Sequence, residues 1–256
     1  MVSDPSGPRL ALVVTLLAAV VASCATTKGS TADDAGTAVS DPGVYDLETG
    51  VRIERDNLFA ELAAHRWIVV GEKHDSPWHH RVQTQVYGAI TRRSEAPVAL
   101  GMEMFQHPFQ SHLDDYVRGD IDESTMLERT EYDQRWGMET AFYRGLWGQA
   151  RNNGTPIVAL NAPSELSRKV SEVGLSELSS GQKDALPEMD LTNDVHREYV
   201  RRAFRAHDME MTDERFERFY QAQVLWDETM ASRAVSFIQS HPDVGSMVIV
   251  AGLAHA

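Results

Sequence analysis

Four short apolar runs organise the chain: Trp67-Ile68-Val69-Val70, Pro97-Val98-Ala99-Leu100, Pro156-Ile157-Val158-Ala159-Leu160 and Met247-Val248-Ile249-Val250-Ala251. None alternates apolar with polar residues, as a strand with one wet face would. Each predicts a strand buried on both faces, as in a parallel or mixed sheet under helices. Helical signals separate them. Asp56 or Asn57 can cap a helix whose apolar face includes Leu58, Phe59 and Leu62. Ser76 before Pro77 is an N-cap and first-turn pair, opening a helix with Val82, Val86 and Ile90 on one side. Residues 213–239 carry Phe216, Phe219, Tyr220, Met230, Ala231, Ala234, Phe237 and Ile238 at helical spacing, which predicts one long helix. Strand and helix in alternation predict an α/β fold, a mostly parallel or mixed central sheet flanked by helices. The stretches 119–145 and 164–212, charged and broken by Gly and Pro187, predict a helical cap over the carboxyl ends of the strands.

The N-terminus predicts export. Residues 10–22 are apolar, too few to span a bilayer but right for the core of a signal peptide. They end in Val21-Ala22-Ser23-Cys24, small residues before a cysteine, as in a lipoprotein signal. The basic region is atypical, holding only Arg9 against Asp4. The expected division is a signal peptide over 1–23, a lipidated Cys24 with a flexible tether to 43, and one domain over 44–256. The tether is Ala, Thr, Gly, Ser and Asp with little to bury. Ala25, where an Asp would favour retention at the inner membrane, points to the outer membrane or its periplasmic face in a Gram-negative cell.

Cys24 is the sole cysteine, so core packing and no disulfide must hold the domain. The net charge of −14 argues against nucleic acid or anionic lipid as the main partner.

Candidate chemistry follows each strand at once: Glu72-Lys73-His74-Asp75, Glu103-Met104-Phe105, Asn161-Ala162-Pro163 and Leu253-Ala254-His255. Ligands in open α/β sheets bind beyond the carboxyl ends of the strands, so these sets are expected to ring one cleft. Each alone has a plain structural reading, a capped turn or a satisfied core histidine; four together favour a site. Gln223 and Asp227 lie on the apolar face of the long helix and need partners, in the cleft or in a structural hydrogen bond. His74, His79 and His80 with the carboxylates offer donors for a metal, though no strict metal-binding spacing is present. Phosphate-loop, nucleophile-elbow and covalent-haem motifs are absent from the sequence, so any haem would be non-covalent.

The blocks Gly71-Glu72-Lys73-His74-Asp75-Ser76-Pro77-Trp78-His79-His80, Gly101-Met102-Glu103-Met104-Phe105, Trp136-Gly137 with Phe142-Tyr143-Arg144, Leu160-Asn161-Ala162-Pro163, Gln223-Val224-Leu225-Trp226-Asp227 and Ala251-Gly252 with His255 together resemble the ChaN-like haem-binding lipoproteins, in order along the domain. The resemblance implies haem uptake or storage, with haem held between two subunits of a homodimer. It implies a tyrosine on the iron and a histidine and a lysine near the propionates. Tyr143, in the best-matching block, is the expected ligand, with Tyr132 and Tyr220 as alternatives; phenolate is a hard donor suited to ferric iron. His80 is the expected propionate partner, with Lys73 or Lys169, and the helix N-terminus near Pro77 can also hold the anion. Glu72, His74, Glu103 and His255 complete the expected cofactor site. Family members usually continue beyond the position of Ala256, so the resemblance implies a further C-terminal segment. The wider superfamily resembles erythromycin esterases and Tiki-type metalloproteases. That implies an alternative, a metal-dependent hydrolase using Glu72, His74, Glu103 and His255.

Overall fold

The computed structural model describes residues 12–14, 43–206 and 212–255. In chain order its elements are β1 (Leu12–Val14), β2 (Val44–Tyr45), β3 (Arg52–Ile53), α1 (Arg55–Leu62), β4 (Trp67–Glu72), α2 (Pro77–Arg93), β5 (Val98–Gln106), α3 (Gln110–Arg118), α4 (Glu123–Arg129), α5 (Tyr132–Arg135), α6 (Thr140–Asn153), β6 (Ile157–Asn161), α7 (Ser164–Val173), α8 (Ser180–Asp184), α9 (Asp194–Ala206), α10 (Asp213–Ser240) and β7 (Ser246–Gly252). Each of the four apolar runs becomes a strand. They pair in parallel in the order β4-β7-β5-β6, with β1 added at the β4 edge. The fold is therefore α/β, as the patterning predicts.

Val, Ile, Leu and Met side chains of these strands are buried on both faces because helices cover both. One face packs on α2 and α6, with Ile68, Val70, Val248 and Val250 against Val86, Ile90, Leu146 and Trp147. The other packs on α10, with Val158, Leu160 and Met247 against Met230, Ala234 and Ile238. The N-terminal half of α10 carries α7 on one flank and α9 on another. These elements form the expected helical cap.

The Ser76 cap matches the reading from sequence, and α10 has a cap of the same kind. The Ser76 hydroxyl accepts the His79 N–H at 3.4 Å and Pro77 opens α2; Thr212 caps α10 in the same way. In α1 the helix begins two or three residues earlier than a cap at Asp56 or Asn57 would place it, with Glu54 at the cap position. Leu12–Val14, within the apolar stretch read as a signal core, supplies edge strand β1, its Val13 opposite Val69. Cys24 and the tether up to residue 42 lie outside the described residues, and none of the described helices is long and apolar enough to cross a membrane.

Strand order decides where chemistry converges. β7, last in sequence, inserts between β4 and β5, with Glu72 opposite Gly252. The β5–β6 register slips between Met102 and Gln106, a bulge that re-aims the end of β5 around Glu103.

Candidate functional site

Glu72 ends β4 with its carboxylate buried. Its Oε1 accepts the Tyr143 hydroxyl at 2.6 Å and His74 Nδ1–H at 2.8 Å, and Oε2 faces His80 Nδ1 at 3.2 Å. Burial by itself would raise its pKa. Hydrogen bonds from His74, His80 and Tyr143 outweigh that and bring it down to about 2. Both ring nitrogens of His80 face acceptors: Nε2 meets the His74 carbonyl at 3.0 Å, and Nδ1 lies between Glu72 and Gln83 Oε1. Gln83 is oriented by donating its amide to the Val70 carbonyl at 3.0 Å. Both nitrogens of His80 are thus placed to donate, an arrangement that favours the imidazolium. Burial opposes that charge, but the carboxylate beside it raises its pKa.

A second carboxylate–imidazole pair stands opposite. Asp227 of α10 accepts His255 Nδ1–H at 2.6 Å, and its other oxygen faces His196 Nε2 of α9 at 3.3 Å. Burial pushes His255 down, but Asp227 and then Glu103 together raise it. Glu103 lies between the two pairs. Its Oε2 accepts the Gly252 N–H at 2.6 Å, and its Oε1 is 3.7 Å from His255 Nε2. Burial raises its pKa. His74, held at Nδ1 by Glu72, turns its Nε2 edge to the same place. A Cβ on Gly252 would sit 3.0 Å from His74 Nε2 and 2.9 Å from its Cε1. Two imidazoles, each oriented at Nδ1 by its own carboxylate, therefore flank one buried glutamate.

His74, Glu103 and His255 form the floor of a cavity of about 570 Å³ at the carboxyl ends of β4, β5 and β7. Trp136, Phe219 and Trp226 wall it, and Asn161, Gln223, Arg135 and Arg168 also line it. The Trp136 and His74 rings meet edge to face at 4.8 Å. The structure brings together Glu72, His74, Glu103 and His255, with Glu72 one layer below the others. Asp227 lies beside them, bonded to histidines.

Other expected site residues fall elsewhere. Tyr143 is fully buried, and its hydroxyl is committed to Glu72, which together with burial raises its pKa far above the ordinary phenol value. Here it supports the Glu72 network, with no face open to a haem iron. Tyr132 and Tyr220 are equally buried. His80 lies in the core as the counter-ion of Glu72, so it is closed to a propionate. Lys73 is exposed, but outside the cavity wall; its backbone N–H donates to His79 Nδ1 at 2.8 Å, which leaves His79 an acceptor. Lys169 donates to Gln182. The histidines and carboxylates pair with one another, so among the described residues no group of three could hold a metal ion.

Of seven tyrosines, only Tyr45 and Tyr199 expose half of their surface, 53% and 50%. Tyr199 lies on α9, one turn after Val195, which is 83% exposed. Sequence reasoning passed over both. For Tyr199 the signal was its offset from Val200 and Phe204, the α9 residues that pack on α10.

The family whose description reads haem-binding uptake, Tiki superfamily, ChaN matches residues 58–256. The chain belongs to this family. Among solved structures, ChaN of Campylobacter jejuni, determined for its cofacial haem binding, superposes with a TM-score of 0.64 at 19% identity, covering 81% of this chain and 78% of that one. The erythromycin esterase EreC gives 0.46 at 14% identity, over 77% of this chain and 63% of the esterase. A MARTX toxin effector domain from Vibrio vulnificus gives 0.43 at 19% identity, over 78% and 30%; this chain spans under a third of that one. No curated protein sequence matches. Likeness to the C. jejuni ChaN covers about four-fifths of this chain, so the ChaN-family fold is the frame in which the site sits.

Proposed function

We propose that this protein binds haem as its cargo, for uptake or storage, at an exposed face of the helical cap. Membership of the haem-binding ChaN family supports the ligand. The observation that carries the site is Tyr199 beside Val195 on α9. An iron ligand must be reachable, and Tyr199 is half exposed, a hard oxygen donor for ferric iron with the exposed Val195 one turn away. Tyr199 takes the role that sequence gave to Tyr143. A face of this kind, exposed on one copy, is suited to close over haem against a second copy, which makes the working unit a homodimer. Cys24 would carry the lipid that tethers the domain to a membrane, the outer membrane or its periplasmic face in a Gram-negative cell. Titration of the full chain with haemin, followed by absorption, tests the reading: a saturable high-spin ferric spectrum is expected, and no binding at micromolar haemin would sink it.

A second reading rests on Glu103 between His74 and His255. It assigns acid–base hydrolysis of an ester to the cavity, with no metal needed. A water oxygen would bond to the carbonyl carbon as its proton passes to Glu103. The carbon–oxygen bond to the leaving group then breaks, and that oxygen takes the proton of His255 Nε2. Burial raises the pKa of Glu103, and Asp227 raises that of His255 against its own burial. Hydrolysis of p-nitrophenyl acetate abolished in Glu103→Gln is the expected result; equal rates in both proteins would remove this reading.

A further inference from the structure

We propose that the cavity above Glu103 is a binding site for an organic carboxylate. The inference names the ligand class for the cavity of the second reading, and it requires no turnover.

Two arginines line this cavity and their states differ. Arg135 is fixed: it donates to Gln106, Ser164 and Glu165, pairs with Glu131, and lies over the Phe109 ring at 4.7 Å. Arg168, one α-helical turn into α7, makes no ion pair or side-chain hydrogen bond among the described residues. The chain holds 38 acidic residues against 24 Lys and Arg, so partners for an arginine are plentiful. An unmatched guanidinium on a cavity wall in so acidic a protein offers a forked pair of donors to an anion from outside. Carboxylate geometry matches that fork.

Asn161 is the second observation. Its Nδ2 donates to the Glu103 carbonyl at 2.9 Å, which fixes the amide and turns Oδ1 the other way. That oxygen is buried, lines the cavity and has no partner. The Gln223 amide, also on the wall, makes no hydrogen bond among the described residues. One cation, one acceptor and one amide are therefore unmatched around a single space. Trp136 and Trp226 supply flat apolar walls between them. A carboxylate on an aromatic or other planar body, carrying a hydrogen-bond donor, satisfies all of these at once. Its inner end would then rest over His74, Glu103 and His255.

The carboxylate can belong to a free metabolite or to a propionate of haem. Tryptophan fluorescence of the full chain, titrated without haem, reads the site directly. Phenylacetate, which carries the anion and the ring, is the probe, and inorganic phosphate is the competing anion. Saturable quenching by phenylacetate is expected, with affinity lowered about tenfold or more in Arg168→Ala and by less in Arg168→Lys. Arg168 is exposed, so both variants should fold. Adding haemin separates the sources. Displacement of phenylacetate by haemin, but not by haemin dimethyl ester, assigns the site to a propionate; simultaneous binding assigns it to a separate molecule. Loss of haem binding or of hydrolysis with quenching intact leaves this inference standing. No saturable response to phenylacetate, a response to phosphate alone, or equal affinity in Arg168→Ala overturns it.

Discussion

The Tyr143 hydroxyl donates to the buried Glu72 carboxylate at 2.6 Å. A phenol so placed stabilises a charge in the core, and its ring packs against Trp147 and His80. Replacing Tyr143 by Phe keeps the ring and removes one of three donors to Glu72. The expected cost is about 1–3 kcal/mol of stability, read as a lower midpoint in thermal denaturation. The haem spectrum of the variant should match the wild type. A lost iron ligand in Tyr143→Phe would restore Tyr143 to the haem site.

Glu72 also makes stability depend on pH. Its folded pKa of about 2 lies below the ordinary value of 4.5. Its contribution is full above pH 4.5 and disappears as pH falls towards 2, on the order of 3 kcal/mol in all. His74 and His80 shift upward from 6.5. Their contribution is full below pH 6.5 and lost as pH rises through their folded values. The greatest stability is therefore expected between about pH 4.5 and 6.5. Thermal melts across the range check this, and a midpoint still rising above pH 8 would contradict it.

Removing the carboxylate should be worse than removing its donor. Glu72→Gln leaves the His80 imidazolium buried without its counter-ion, at an expected cost of about 3–5 kcal/mol. Chemical denaturation measures it. A loss no greater than that of Tyr143→Phe would mean that His80 is neutral.

Gly252 is the hinge of the site's geometry. The Cβ of Gly252→Ala would fall 2.9 Å from the His74 ring, and an imidazole bonded to Glu72 has little room to retreat. The expected result is a folded protein in which His74 is displaced and phenylacetate binding is weakened. Unchanged His74 ring resonances in the NMR spectrum would refute the close approach.

Much of this arrangement is legible in the sequence. Unalternating Val/Ile runs mark strands covered on both sides, and a strand's end fixes where its next residues stand. Glu72, Glu103 and His255 could therefore be grouped before any coordinates. The role of Tyr143 could not, because burial of a helix residue depends on which face meets the sheet: α6 turns Tyr143, Leu146 and Trp147 inward together. The pairing of His80 with Glu72 was hidden for the same reason. It needs the first turn of α2 to fold back over the end of β4. Arg168 and Tyr199 stand out by what they lack, a partner and a covering surface, which only the assembled cap reveals.

The proposal of a lipid anchor rests on the sequence around Cys24. Labelled palmitate should enter the wild-type protein and not Cys24→Ser, and only the wild type should sediment with membranes. Equal labelling of the two would remove the anchor.

The central claim is that an exposed tyrosine of α9 ligates ferric haem. The decisive measurement is the absorption spectrum of the haemin complex in wild type, Tyr199→Phe and Tyr45→Phe. A high-spin phenolate spectrum is expected in the wild type and in Tyr45→Phe, and its loss in Tyr199→Phe, whose fold should be unaffected because the ring is half exposed. An unchanged spectrum in Tyr199→Phe would contradict the assignment.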